Sequence, residues 1–292
     1  NTYPIAVTHA ASSSGTSGGS SGDPSEPAGK ASLLVDSTVI GSVAMNKVNL
    51  SDGAVIEQVS LDEEILDEAL NRLDDVGKPI LTIQVDDSER GVLVQLPATP
   101  IAEAAETYPN ETMIEVVLNG ASYQLAIRVL DLAALAERLG VELKDLKVNL
   151  MLERADEATE TQIRQLAVRE GFDLVSAAIE FKVMAEANGQ TVEIRDFGGT
   201  NMARAIVTEE GAANRNLTGV LYDRETKTFT FVPSRSRTRS DGTPEMVMHV
   251  PHNSTYAVLE SKGRTFDDLS GHWAKADVEL LASKLIVHGV TD

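Results

Sequence analysis

Apolar and polar positions alternate with period two along much of this chain and switch to a helical period in a few short stretches, which predicts strands broken by short helices. Strands are expected over Ser32–Val43, Ala54–Val59, Ile80–Val85 and Gly91–Leu96, each rich in β-branched residues and bounded by turn formers. Leu61, Ile65, Leu66, Ala69, Leu70 and Leu73 share one helical face, so Leu61–Leu73 reads as a helix, with a shorter one at Ile101–Glu106. Two Asn-Gly steps, Asn119-Gly120 and Asn188-Gly189, predict hairpins, because both residues accept the positive φ of a type I′ turn. Leu132–Leu139 is a helix stopped by Gly140, Asp145–Glu153 a strand, and Glu157–Arg169 a helix ending at Gly171. Further strands follow at Ala205–Val207, Gly219–Tyr222, Thr228–Val232, Glu245–Val250 and Tyr256–Leu259. The expected fold class is α+β, mostly β.

The pattern also divides the chain. Residues 1–10 hold a short β-branched run that reads as the end of a preceding module, and residues 11–30 form a Gly/Ser/Pro linker too poor in apolar residues to fold. Residues 31–262 make one β-rich module, with lobes 31–128 and 129–262 as its simplest subdivision. From 263 to 292 the pattern turns helical: Val278, Leu281, Ala282 and Leu285 line one face, while Lys275, Asp277, Glu279 and Lys284 line the other.

That last segment, TFDDLSGHWAKADVELLASKLIVHGVTD, carries the most specific motif in the chain. Phe266-Asp267-Asp268-Leu269, then Gly271-His272-Trp273-Ala274, an apolar helical face and Val287-His288-Gly289-Val290 resemble the first half of an S-layer homology (SLH) repeat. The resemblance implies attachment of an exported protein to the secondary cell-wall polysaccharide of a Gram-positive bacterium. It implies a glycan site to which Asp268, Gly271, His272 and Trp273 would contribute. The arginine-bearing second helix that completes such a site in the family does not occur in these 292 residues, so the site is expected to be partial here. The strand order between Ala31 and Lys262 is similar to the β-rich module that precedes SLH repeats in Paenibacillus-like surface proteins. On this reading the module is a spacer, located extracellularly at the cell wall.

Composition narrows the alternatives. A formal charge of −20 opposes binding to nucleic acid or anionic membranes, and no apolar run is long enough to cross a bilayer. There is no cysteine, so disulfides, thiolate metal sites and cysteine nucleophiles are excluded. His249 and His252 are the one close histidine pair, but they lack a third ligand and a helical frame, and no metal or cofactor is inferred. Gly198-Gly199-Thr200 lacks the lysine of a phosphate loop, and aromatics at 4% are too few for a polysaccharide-cleaving cleft. No catalytic residue is assigned.

One basic cluster stands out in this acidic chain. Arg235, Arg237 and Arg239 alternate with small residues, so on a strand they would share a face and could contact carboxylates or phosphates of a wall polymer. Two other roles compete with the wall-bound spacer: an accessory, carbohydrate-binding region of an extracellular polysaccharide-degrading enzyme, and a self-associating S-layer module.

Overall fold

The computed structural model describes residues 29–287, apart from 51, 76–78, 87, 89, 109–111, 210 and 212–215. The upstream segment, the linker as far as residue 28, and the closing His288-Gly289-Val290 lie outside the described residues. Among the described residues strand outweighs helix by 47% to 24%, so the fold is α+β and mostly β. In chain order the strands are β1 (Lys30–Val35), β2 (Thr38–Asn49), β3 (Val55–Ser60), β4 (Ile80–Val85), β5 (Gly91–Pro97), β6 (Met113–Leu118), β7 (Ala121–Ala126), β8 (Lys147–Arg154) and β9 (Phe172–Leu174). They continue as β10 (Ile179–Ala187), β11 (Gln190–Glu193), β12 (Met202–Val207), β13 (Leu217–Asp223), β14 (Thr228–Val232), β15 (Ser234–Thr238), β16 (Pro244–Val250) and β17 (Thr255–Ser261). The helices are α1 (Glu63–Asn71), α2 (Ala98–Thr107), α3 (Leu132–Leu139), α4 (Glu157–Arg169) and α5 (Lys275–Ala282).

Contacts group the chain into two compact units built from alternating segments. Among the described residues, the first takes 29–118, Ala126–Met151 and Val183–Ile194, and the second takes Asn119–Leu125, Leu152–Lys182 and 195–287. Each unit draws on both of the lobes, 31–128 and 129–262, that the sequence suggested.

In the first unit, β4 lies between β1 and β6, antiparallel to β1 with Leu33 opposite Ile83 and parallel to β6 with Ile83 opposite Val116. The expected strand Ser32–Val43 is in fact a hairpin of β1 and β2. Asp36 and Ser37 both take positive φ, 47° and 63°, as a two-residue type I′ turn requires, without the asparagine or glycine that usually marks one. The twelve-residue β2 serves two partners, since its second half runs antiparallel to β3 with Val48 opposite Ile56. β3 is in turn parallel to β5, with Gln58 opposite Leu93. A parallel pair needs a crossover, and the two crossovers here overlap: β3 reaches β5 through α1 and β4, while β4 reaches β6 through β5 and α2.

The helices obey local rules. Asp62 caps α1 by accepting from the Ile65 amide at 2.8 Å, and Leu66, Ala69 and Leu70 form its buried face. α2 begins three residues earlier than its apolar pattern suggested, because Pro100 falls in the first turn, where a missing N–H costs nothing. Gly140 ends α3 at φ 67° and ψ 36°, the left-handed geometry that favours glycine. Asn188 and Gly189, at φ 51° and 73°, close the expected hairpin of β10 and β11. The Asn119-Gly120 step does not make a hairpin: β6 takes β4 as its partner, and β7 takes β12.

In the second unit, β12 lies between β7 and β16, and β16 pairs onward with β15. A second set centres on β17, which pairs with β13 along one edge and with β9 and the start of β10 along the other, while β14 flanks β13. Against it packs α4, whose Ile163, Leu166 and Ala167 join Phe172, Tyr222 and Leu259 in one apolar cluster.

Between these strands sits Arg204, on β12, with a relative exposure of 0%. Its guanidinium lies 4.7 Å from the Tyr123 ring centroid, 5.5 Å from that of Tyr256 and 5.7 Å from that of Phe181. It donates to the carbonyls of Val250 at 3.0 Å and Met202 at 3.2 Å and to Asn253 Oδ1 at 2.6 Å, while the Tyr123 hydroxyl donates to the same Oδ1 at 3.1 Å. Burial pushes the Tyr123 and Tyr256 phenols up to about 12, against an opposing pull from the cation.

The sign of the resulting pH effect is fixed. A phenol whose pKa rises on folding stabilises the fold fully below its unfolded value near 10 and loses that contribution as pH climbs to about 12. Unfolding free energy measured in denaturant should therefore be flat from neutral pH to about 9.5 and fall by about 2–3 kcal/mol per tyrosine by pH 12. A Tyr123→Phe, Tyr256→Phe double variant should flatten most of that fall.

Candidate functional site

The C-terminal segment is built outward from the core of the second unit. After β17, Lys262 N–H donates to the Gly171 carbonyl, and the Arg264 side chain reaches the Glu170 carbonyl at the C-terminal end of α4 while its guanidinium lies over the Phe172 ring at 5.6 Å. A cation at that position also meets the negative end of the helix dipole. Asp267–Leu269 form a single 3₁₀ turn, and Gly271 takes φ 76°, a left-handed corner that redirects the chain into α5.

α5 ends at Ala282, earlier than its apolar pattern suggested. Leu285 then adopts φ 59°, unusual for a leucine, and its side chain joins the apolar cluster of α4, β9, β13 and β17. Lys284 Nζ donates to the Leu217 carbonyl, and its burial lowers the ammonium pKa. The expected stripe is thus only half used: Ala282 and Leu285 are buried, whereas Leu281 is exposed and Val278 half-buried.

The motif residues themselves face water. Trp273 is 87% exposed, and the His272 ring lies beside it at 5.5 Å with 31° between the planes. The indole therefore does not plug a core. His272 Nδ1 accepts from the Ala274 amide at 3.2 Å, which leaves Nε2 as the donor when the ring is neutral. Asp268 and Gly271 are exposed on the same short stretch. All four residues named by the resemblance thus lie within one solvent-facing turn, held in place by Arg264 before it and Leu285 after it.

The arginine cluster is less free than its sequence implies. Arg235 and Arg237 lie on β15, opposite Val247 and Glu245 of β16, and Arg239 follows the strand end. Arg237 Nε donates to Glu245 Oε1 at 2.7 Å, and Arg239 Nε to Oε2 at 2.6 Å. The Glu245 side chain is fully buried, so this one carboxylate gathers two of the three arginines. Arg235 remains exposed on the strand. Glu245 could not have been picked out in the sequence, because its role depends on the register of β15 against β16.

The histidine pair separates. His249 is exposed opposite Ala203, whereas His252 is half-buried; burial lowers its pKa, and the nearby Arg204 cation lowers it further. The Tyr256 hydroxyl donates to the His252 carbonyl at 2.8 Å, so this residue is part of the Arg204 surroundings.

Glu245→Ala should lower unfolding free energy by about 2–3 kcal/mol, since it strands one mostly buried and one half-exposed guanidinium. Arg235→Ala should change it by less than about 0.5 kcal/mol. Chemical denaturation of the two variants side by side checks both values.

Comparison with protein-family models and with curated proteins finds no match for this chain, so the geometry of these side chains carries the functional reading.

Proposed function

We propose that this chain is a non-catalytic spacer and attachment region of an exported bacterial surface protein, which engages anionic cell-wall polysaccharide through the turn that carries Asp268, Gly271, His272 and Trp273. One observation supports this above others: Trp273, the sole tryptophan, is 87% exposed in a turn whose backbone is fixed on both sides. An exposed indole gains nothing for the fold, yet with an adjacent imidazole it offers an apolar face and a hydrogen-bond donor to a sugar. The strands of the second unit, to which the turn belongs, provide the body behind it. Arg235 offers a second cationic contact for an anionic polymer. No helix among the described residues is long and apolar enough to cross a membrane.

Self-association is a second reading, favoured by the apolar residues that α5 and its exit leave in water. Leu280 is 55% and Ile286 47% exposed on the same segment as Trp273. Such a cluster on so short a segment suits packing against another helix.

Retention on protein-free Gram-positive cell walls tests the first reading, with the chain measured alone and fused at its C-terminus to further SLH repeats. Trp273→Ala should weaken retention about tenfold in the form that binds, with melting unchanged, because the indole makes little contact with the fold. Equal retention of the variant would remove the reading. Sedimentation velocity tests the second: a sedimentation coefficient that rises with concentration, and ceases to do so in Leu280→Glu, would favour self-association.

A further inference from the structure

The first unit carries a pocket of about 660 Å³ on the sheet face opposite its apolar core. The pleat creates it. On β5, Val92, Val94 and Leu96 point into the core while Leu93 and Gln95 point the other way; on β8, Val148 and Leu150 point inward while Lys147, Asn149 and Met151 point outward. Gln58 on β3 and Met184 and Glu186 on β10 complete the same face.

Two chemistries meet there. Leu93, Met151 and Met184 form an apolar floor, with both methionines buried. Beside it runs an ordered polar chain: Lys147 Nζ donates to Gln95 Oε1 at 3.1 Å, Gln95 Nε2 to Glu186 Oε2 at 3.3 Å, and Asn149 Nδ2 to that same Oε2 at 2.5 Å. Donation to a carboxylate fixes which way the Asn149 amide points. Its Oδ1 is consequently turned from Glu186, and this residue is only 2% exposed, yet Oδ1 has no hydrogen-bond partner in the protein. That oxygen is also sealed from solvent, so Asn149 serves the pocket through the donation that orients Glu186, whose second oxygen is the acceptor for a ligand donor.

The geometry points to a binding site for a neutral sugar residue in this pocket, separate from the C-terminal turn and independent of the reading given to that turn. A sugar ring offers hydroxyl donors around its edge and C–H groups on its faces. A hydroxyl would donate to the second oxygen of Glu186, while a C–H face would rest on Leu93, Met151 and Met184. Lys147 at the rim offsets the Glu186 charge, which leaves neither an anion nor a cation preferred. The hydrogen bonds on offer come from side chains rather than from an open strand edge, so an extended peptide would find no register there.

The test is amide-resolved NMR of the whole chain titrated with glucose and with diacetylchitobiose, beside glucuronate and glucosamine as charged controls. A neutral sugar should shift the amides of β5, β8 and β10 around the pocket, and the charged controls should bind more weakly. Asn149→Leu, which keeps the branched shape and removes the amide donor that orients Glu186, should weaken binding about tenfold while the spectrum outside the pocket stays folded. Glu186→Gln should weaken it by a similar factor. Absence of shifts with both neutral sugars, shifts undiminished in Asn149→Leu, or equal binding of a charged control would each overturn the proposal. Loss of wall retention in Trp273→Ala leaves this site unaffected, so the two readings fail separately.

Discussion

A guanidinium sealed from water is the constraint on which the second unit depends. Arg204 is fully buried on a central strand, and the groups that face it are three aromatic rings, an asparagine and two backbone carbonyls. Moving a cation out of water is expensive, and arginine tolerates the move better than lysine because its charge is spread and weakly hydrated. Each desolvated ring contact offsets on the order of 2 kcal/mol, and hydrogen bonds to a charged donor add about 1.5–3 kcal/mol each. Those contributions exist only while β7, β12, β16, β17 and the start of β10 are assembled, since each supplies or positions a group around the guanidinium. The surplus of 45 acidic over 25 basic residues helps from a distance, as a negative surface lowers the cost of an internal cation.

The same logic of charges placed by tertiary contacts governs the surface. Three arginines in a seven-residue stretch look like an open basic stripe, but the pairing of β15 with β16 sets Glu245 beneath two of them. The C-terminal turn shows the reverse. Its tryptophan and histidine could have been core residues by type alone, and they stand in water while Leu285 and Arg264 take the docking positions around α4. In both places the choice of partner, rather than the residue type, separates a structural side chain from one available to bind.

Much of the local structure was legible in advance. The helical periods of α1, α3 and α4, the stop at Gly140 and the hairpin at Asn188-Gly189 follow from short-range rules that act within a few residues. The misses share a cause. The turn at Asp36-Ser37 lacks the usual residues because strand pairing on both sides holds positive φ that the side chains alone would not favour. The Asn119-Gly120 step has those residues and makes no hairpin, since β4 and β12 offer β6 and β7 better partners. The amide-lined pocket gave no sign at all, because Gln58, Gln95, Asn149 and Glu186 come from four strands and look like ordinary outward positions on each.

Sequence alone therefore determined the class of this protein: a mostly β, acidic, cysteine-free chain with a few capped helices and one specific motif near its end. Period and turn chemistry are local properties, and they survive being read one window at a time. Tertiary structure alone decided which strands pair across long separations, that Arg204 is buried among rings, that Glu245 gathers Arg237 and Arg239, and that Asn149 and Gln95 hold Glu186 at the wall of a pocket. These depend on register and on the direction of individual side chains, and a shift of one residue along any of those strands would turn each group to the opposite face.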